Sequence, residues 1–317
     1  MKQYQLKIHN FITNNSFQIT KTNPTKTYQN QIRKTINNST QLIKLEHRWK
    51  YINLNPTEPT LRGLIKLHKV DQPIRPIVNW QHAPAYKLAK LLTGKIQLAS
   101  LPYAYNIKNT SQLIQELKQT PLTPTSAFAS LDITNMYSNI PTEETKHILH
   151  SSLTRNEIDR HTITELMSWY EIVTQQNYFK NNDQIIIQKD GLAMGAPSSS
   201  IISEIFLQNI EQKHLPSIAK KHNLTNYFRY VDDILIVYDA QQTDIASLLA
   251  DFNSLHPKLQ FTKETEQNNQ INYLDITIHR QKTKVKISIY RKPTYTYTII
   301  PFTSNHPTQI CCNQIFI

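Results

Sequence analysis

Two adjacent aspartates, Asp232 and Asp233, interrupt a stretch that is otherwise almost entirely apolar, "FRYVDDILIVYDA" at residues 228–240. The β-branched and aromatic residues on both sides favour a pair of buried strands. A buried anion is costly unless it has a partner. The pair therefore either occupies an ordinary polar turn or binds a cation.

A third carboxylate, Asp132, closes a short buried strand predicted in "SAFASLDITNMYSNIP" at residues 126–141. If this strand and the two strands that flank Asp232 and Asp233 belong to one antiparallel sheet, the three acids meet at one edge of it. They then raise each other's pKa. Two Mg²⁺ ions would relieve this, because Mg²⁺ takes oxygen ligands and keeps positions for substrate phosphates. Two metals roughly 4 Å apart stabilise both the attacking and the leaving oxygen in phosphoryl transfer. The alternative is two unrelated polar turns.

Two further segments have residues suited to a nucleotide. Tyr137 lies five residues after Asp132, where its ring could lie beside a nucleotide sugar; taken alone, its pattern favours a core aromatic. The loop "GLAMGAP" at residues 191–197 offers a close-approach backbone before a helix N-terminus, which suits a base or a phosphate. The chain has only four glycines, and this scarcity favours positions that exclude a Cβ atom, with Gly63, Gly191 and Gly195 as the candidates. Alone, this segment is an ordinary loop.

Three basic residues, Lys66, Lys69 and Arg75, flank a predicted β-hairpin in "LRGLIKLHKVDQPIRPIVNW" at residues 61–80. They could hold a triphosphate, or they could form a solvated basic face.

The composition favours a polyanionic partner. The chain has 317 residues and a formal net charge of +12, and the repulsion among these charges destabilises the folded state. Such a charge points first to nucleic acid and second to an acidic membrane surface as the partner. The alternative is a basic enzyme without a polyanionic partner. No signal peptide or membrane-spanning apolar run is present. The only cysteines, Cys311 and Cys312, are too few for a zinc site. We therefore expect a soluble, reduced, intracellular protein without a membrane partner.

The elements that position these residues alternate irregularly between helix and strand. The patterns predict helices within residues 84–118, from residue 142 and from about residue 199, and hairpins around "KNND", the Asp232–Asp233 turn and residues 271–293. Residues 1–55 are predicted to be an extension packed on the main body or partly mobile. This pattern favours an α+β fold, a sheet with helices on one face.

Taken together and in this order, the segments resemble the motifs of reverse transcriptases. "SAFASLDITNMYSNIP", "QKDGLAMGAPSSSIISEIFLQ" and "YFRYVDDILIVY" resemble the successive palm motifs, and "RGLIKLHKVDQPIRPIV" resembles the fingers motifs. "LQFTKETEQNNQINYLDITIHR" and "ISIYRKPTYTYTIIPFTSNHP" resemble the later segments of one branch, the Penelope-like retroelements, which are relatives of the telomerase catalytic subunit. The resemblance covers about residues 24–307.

The resemblance implies a right-hand polymerase with an antiparallel palm sheet, a fingers subdomain and a thumb. It implies an RNA-directed DNA polymerase that uses two Mg²⁺ ions, with Mn²⁺ as a substitute, and that takes an RNA template, a DNA primer and deoxynucleoside triphosphates. The expected regions are an N-terminal extension at 1–55, fingers at 56–125, palm at 126–280 and the start of the thumb at 281–317. The lifestyle of such elements suggests the nucleus.

The resemblance also implies individual roles. Asp132 and Asp232 would ligate the metals and Asp233 would support them, together forming the catalytic set. Around them, the triphosphate would be held by Lys66 and Arg75. The sugar and nucleotide pocket would be formed by Tyr137, Gln188, Gly195 and Pro197. The primer and template would be contacted by Lys69, Tyr230 and Val231. Tyr137 would exclude a 2′-hydroxyl by its bulk.

The chain departs from the family pattern in three places. Ile65 stands where the family more often has proline, and Ala196 replaces a serine. After "SNHP" the chain ends in "TQICCNQIFI", where the family continues into a helical thumb, so we expect a C-terminally truncated copy with an incomplete thumb and no endonuclease domain. The competing hypotheses are a catalytically inactive relic that only binds nucleic acid and, more weakly, a viral-type RNA polymerase, against which Tyr137 argues.

Overall fold

The computed structural model describes residues 2–13, 17–66, 72–99, 105–293 and 295. This part of the chain contains nine α-helices and a 3₁₀ helix at Leu45–Tyr51. The α-helices are α1 (Lys2–Thr13), α2 (Thr25–Asn38), α3 (Tyr86–Leu98), α4 (Thr110–Gln119), α5 (Met136–Asn139), α6 (Thr142–Arg155), α7 (Arg160–Gln175), α8 (Ser199–Lys221) and α9 (Ile245–Ser254).

The strands of the described residues form three sheets. They are β1 (Phe17–Thr20), β2 (Thr60–Ile65), β3 (Ile74–Asn79), β4 (Ser126–Ile133), β5 (Tyr178–Asn181), β6 (Gln184–Gln188), β7 (Leu224–Tyr230), β8 (Asp233–Asp239), β9 (Phe261–Thr265), β10 (Gln270–Tyr273), β11 (Ile276–Gln281) and β12 (Lys284–Ile289). The sheet orders are β7-β8-β4-β9, β1-β6-β5-β2-β3 and β10-β11-β12.

The sheet β7-β8-β4-β9 is the centre of the fold and is antiparallel throughout. Alternate residues of β8 belong to two different hydrophobic clusters, because successive side chains of a strand point to opposite faces. Ile234 and Ile236 pack in the larger cluster with residues of α6 and α8, whereas Leu235 and Val237 pack in the smaller cluster with residues of α4 and of the sheet β10-β11-β12. Both faces of the sheet are therefore covered, which explains the continuous apolar run after Asp233.

The predicted α+β class with an antiparallel palm sheet is confirmed. The expectation that helices cover one face holds for α6 and α8, and the other face is covered mainly by a second, smaller sheet. That sheet also corrects the prediction of one hairpin at residues 271–293, since β10, β11 and β12 form a three-stranded meander. The apolar alternation continued through both turns, so periodicity did not separate two strands from three.

The five-stranded sheet joins segments that are far apart in sequence. The predicted hairpins at residues 61–80 and around "KNND" are confirmed as β2–β3 and β5–β6. Strand β1 from the N-terminal region pairs with β6, and the Gly63 N–H donates to the Tyr4 hydroxyl of α1 at 3.1 Å. The N-terminal region, where described, is thus packed on the main body. The predicted domain boundaries remain predictions.

The described part of the predicted helical region at residues 84–118 contains two helices, α3 and α4. Asn109 begins α4 as its N-cap, its side chain accepting from the Gln112 N–H at 2.9 Å. Within the described ranges, no helix has the length and apolar character needed to cross a bilayer.

Candidate active site

The register between β4 and β8 brings the predicted acids together. Asp132 lies directly opposite Asp233 in this antiparallel pair, and the Ile133 N–H donates to the Asp232 carbonyl at 3.1 Å. Residues that lie opposite each other in a ladder have Cβ atoms about 5 Å apart. The Asp132 carboxylate and those of the Asp232–Asp233 pair, which follows 100 residues later in the sequence, therefore lie at one end of the central sheet.

A two-residue turn, Val231 and Asp232, connects β7 to β8, with Tyr230 opposite Asp233. Val231 has a φ of 58°, the left-handed region that a β-branched residue rarely adopts. Such backbone strain, which costs on the order of 1–3 kcal/mol, persists only where surrounding contacts hold it, and it concentrates at functional sites. The turn that presents Asp232 is thus held in a strained conformation.

The electrostatics of the three carboxylates favour a bound cation. Burial, together with the neighbouring Asp232 and Asp132 carboxylates, raises the pKa of the Asp233 carboxyl to about 6, while Lys292 and Lys66 oppose the rise. An acid with this pKa is stabilised in its charged form by any cation that binds beside it.

The carboxylates open onto a cleft of about 520 Å³. Lys66 and Arg75 from the β2–β3 hairpin line this same cleft, as predicted for residues that would hold a triphosphate. Lys69 lies outside the described residues. Among the cleft residues that were not predicted, Lys292 is a further cation, and Tyr273 donates its hydroxyl to the Asp233 carbonyl at 2.8 Å.

Tyr137 and Gln188 line a second, smaller cavity, together with residues of β3 and of the loop that precedes α8. Tyr137 lies on the short helix α5 and is partly buried. Burial raises the pKa of its phenol, and the Asp232 carboxylate raises it further, so the ring is neutral and near the acids. This position agrees with the predicted role beside a nucleotide sugar, which remains a prediction.

The "GLAMGAP" loop is fixed on both sides by backbone contacts. A Cβ atom on Gly191, whose φ is +88°, would lie 2.2 Å from the Ser138 carbonyl oxygen, and one on Gly195, whose φ is +122°, would lie 2.3 Å from the Val78 carbonyl oxygen. The Val78 N–H donates to the Met194 carbonyl at 2.8 Å. The loop therefore bridges α5 and β3, and both glycines occupy positions that exclude a side chain.

Gly195 and Pro197 do not line the acidic cleft or the Tyr137 cavity. The Pro197 carbonyl accepts a hydrogen bond from the Thr93 hydroxyl at 3.2 Å, which ties the loop to α3. Both residues thus help to hold the loop in place, and their role in shaping the nucleotide pocket remains a prediction. Tyr230, predicted to lie under the primer end, is 37% exposed beside the turn.

Replacing Gly191 by alanine should lower the free energy of unfolding by about 2–5 kcal/mol, because the new methyl group meets backbone and the φ is unfavourable. Gly94 provides the control: it lies in α3, and no described atom comes within 4 Å of the position that a Cβ would take there. Gly94→Ala should therefore stabilise the helix by about 0.5–1 kcal/mol. Chemical denaturation of both variants measures this difference. Equal stability of Gly191→Ala and the wild type would contradict the docking of the loop on α5.

Sequence reasoning missed Arg229, which lies directly before the Tyr230–Asp233 segment and is 1% exposed. Its guanidinium binds the carboxylates of Glu204 and Glu211 and donates to the Val231 carbonyl at 3.2 Å. The available signal was a charged residue between two aromatic residues of a strand, with two acids seven residues apart in the preceding, largely apolar helix.

The donor chemistry of the site fits a hard divalent cation, since three carboxylates meet where negative charge is in excess. Among the described residues, however, no three acidic, histidine or cysteine side chains are gathered closely enough to hold a metal ion as they stand. Asp132, Asp232 and Asp233 would therefore have to change side-chain rotamer to share one.

Solved structures of polymerases resemble the fold at low sequence identity. The telomerase of Candida albicans in complex with a TWJ fragment of telomeric RNA matches with a TM-score of 0.58 and 12% identity, over 96% of this chain and 51% of that one. Apo telomerase from Candida tropicalis matches with a TM-score of 0.52 and 10% identity, over 73% and 48%. The RNA-dependent RNA polymerase of a human picobirnavirus matches with a TM-score of 0.50 and 11% identity, over 88% and 61%.

The chain thus spans about half the length of the telomerases that it resembles. These likenesses show a right-hand polymerase fold. No curated protein matches the sequence. The family model of reverse transcriptase (RNA-dependent DNA polymerase) matches residues 67–298, which is most of the chain. The chain belongs to the reverse transcriptase family.

Proposed function

We propose that this protein is an RNA-directed DNA polymerase that transfers a deoxynucleotide to a primer 3′-hydroxyl with the help of two divalent cations, Mg²⁺ by preference and Mn²⁺ as a substitute. The observation that carries the proposal is the pairing of Asp132 with Asp233 at the end of the central sheet, in a cleft that Lys66 and Arg75 also line. Membership of the reverse transcriptase family supports it.

Each side of the cleft has a separate task in this proposal. Asp132 and Asp232 would hold the cations, with Asp233 beside them, and the bound metals would stabilise the charge on the attacking and leaving oxygens. Lys66 supplies a point charge and Arg75 a planar fork, which suit the oxygens of a triphosphate. Tyr230 and Val231 lie next to Asp232, where they would support the primer end.

The substrates follow from the same residues. The net charge of +12 favours an RNA template paired with a DNA primer, whose phosphates the basic residues would contact. Tyr137 would select deoxynucleotides by excluding a 2′-hydroxyl from the small cavity beside Asp232. The later motifs support a Penelope-like retroelement as the origin, and such an element would copy its RNA in the nucleus.

The test is primer extension by the chain as given, on matched RNA and DNA templates with Mg²⁺ or Mn²⁺. We expect deoxynucleotide incorporation on the RNA template and little incorporation of ribonucleotides. Salt-sensitive duplex binding without incorporation at any metal concentration would support the inactive relic instead, since counterion release governs such binding. Preferential ribonucleotide incorporation would support an RNA polymerase.

A further inference from the structure

Arg229 is a fully buried cation three residues before Asp232. It lies in β7, and its backbone is bound on the outer edge of that strand: the Arg229 N–H donates to the Tyr105 carbonyl at 3.1 Å, and the Ile107 N–H donates to the Arg229 carbonyl at 2.9 Å. The main chain at this position is therefore fixed between β8 and the segment before α4.

Two glutamates of α8 hold the guanidinium. Nη1 and Nη2 of Arg229 each donate to one Glu204 oxygen at 2.8 Å, and Nε and Nη2 donate to the Glu211 oxygens at 2.5 Å and 3.0 Å. The two acids are seven residues apart, which places them two turns apart on the same face of the helix. Such paired, forked contacts fix both the position and the plane of the guanidinium.

The glutamates are themselves held by neighbours. Gln208 donates to Glu204 at 2.7 Å, and the Tyr227 hydroxyl donates to Glu211 at 2.7 Å. Both carboxylates and the guanidinium are buried, so the network is costly to break, because removal of one member leaves an uncompensated buried charge. A stable fold alone does not require such a cluster, since apolar residues of similar volume are often as stabilising.

The remaining contact of Arg229 reaches the strained turn. Its Nη1 donates to the Val231 carbonyl at 3.2 Å, and Val231 is the residue in the left-handed conformation that precedes Asp232. The peptide whose carbonyl is held in this way is the one that joins Val231 to Asp232. The orientation of that peptide sets the direction in which the Asp232 side chain leaves the backbone.

We propose that Arg229 is a positioning residue: anchored on Glu204 and Glu211, it holds the Val231–Asp232 peptide in the conformation that directs the Asp232 carboxylate into the cleft. The proposal rests on the proposed polymerase function and assigns a task to a network that this function does not otherwise use. Helix α8, which follows the "GLAMGAP" loop and carries Glu204 and Glu211, thereby connects that loop to the Val231–Asp232 turn.

The test compares Arg229→Lys with Arg280→Lys. Lysine keeps the charge at position 229, but its three donors leave from one nitrogen and cannot replace the five hydrogen bonds that the guanidinium makes from three nitrogens. Arg280 makes a comparable, largely buried pair with Glu266, away from the turn, so the matched substitution controls for loss of a forked ion pair. Both variants are melted thermally, assayed for primer extension, and titrated with Mn²⁺ followed by electron paramagnetic resonance.

We expect Arg229→Lys to lower kcat about 10²-fold, with the KM for the deoxynucleotide changed less than about twofold, because a misplaced catalytic group affects the chemical step. We also expect about 10-fold weaker Mn²⁺ binding, in the range seen when groups that orient metal ligands are removed. Arg280→Lys should leave kcat and Mn²⁺ affinity close to the wild-type values. Equal kcat and Mn²⁺ affinity in folded Arg229→Lys and the wild type would overturn the proposal while leaving the polymerase function intact.

Glu204→Gln decides the case if Arg229→Lys does not fold. This variant keeps the shape of the side chain and leaves Arg229 paired with Glu211, while one arm of the fork is lost. A folded Glu204→Gln protein should again show lower kcat and weaker Mn²⁺ binding, and wild-type values of both would overturn the proposal. If the wild type itself extends no primer, the polymerase proposal fails, and the Mn²⁺ titrations alone decide whether Arg229 positions Asp232.

Discussion

Replacing Asp232 by asparagine should lower the rate of primer extension at least about 10³-fold, since a metal worth several kcal/mol of transition-state stabilisation loses a charged ligand. Asparagine has nearly the same shape and is already common in turns, so the strained turn and the fold should persist. The substitution therefore separates the charge of the carboxylate from its place in the structure. Single-turnover extension on an RNA template, with saturating metal and nucleotide, measures the effect.

Asp239→Asn provides the matched control. Asp239 is the last residue of β8, the strand that follows Asp232; it lies opposite Ser126, and its carboxylate accepts from the Gln241 N–H at 2.9 Å in a surface turn. Asparagine can accept the same bond, so this variant should extend primers at the wild-type rate. Undiminished extension by Asp232→Asn would remove Asp232 from the proposed metal site.

The second large effect is expected on the choice of sugar. Tyr137→Ala should lower the preference for deoxynucleotides over ribonucleotides by roughly 10²-fold, the scale on which steric pockets discriminate. The ring lines the small cavity and its phenol is near the Asp232 carboxylate, so its removal should open space for a 2′-hydroxyl. The ratio of kcat/KM for a deoxynucleotide and its ribonucleotide counterpart measures the change.

Tyr137→Phe should keep the preference, because phenylalanine retains the bulk of the ring and lacks only the hydroxyl. Loss of the preference in Tyr137→Phe would show that a hydrogen bond selects the sugar. An unchanged ratio in Tyr137→Ala would place the sugar elsewhere in the cleft.

The meeting of the three acids could be predicted because it follows from local rules. Asp132 ends an apolar strand and Asp232 lies in a tight hairpin turn, so any antiparallel pairing of β4 with β8 that keeps both turns in register joins them. The confirmed hairpins, β2–β3 and β5–β6, were likewise visible as two strand-like runs around a turn-rich segment. The two strands of each hairpin are close in sequence. The pairing of β4 with β8 is constrained by the side-chain alternation of a strand, which has a period of two residues.

The contacts that sequence reasoning missed depend on the folded chain. Glu204 and Glu211 lie 25 and 18 residues before Arg229, on a helix whose packing angle periodicity does not reveal. The pairing of β1 with β6 joins residues more than 160 positions apart, and Lys292 reaches the acidic cleft only because β12 returns the chain there. Local patterns predicted the strands and turns on which the charged residues lie. Tertiary packing decided which of those residues meet.

The central claim is that Asp132, Asp232 and Asp233 together hold two divalent cations. Counting the Mn²⁺ ions bound by the chain tests it most directly, with a dideoxy-terminated primer, an RNA template and the next deoxynucleotide present so that no turnover occurs. We predict two Mn²⁺ ions per wild-type chain and per Asp239→Asn chain, and fewer in Asp132→Asn and Asp232→Asn. The same count in all four proteins would contradict a metal site built from these aspartates.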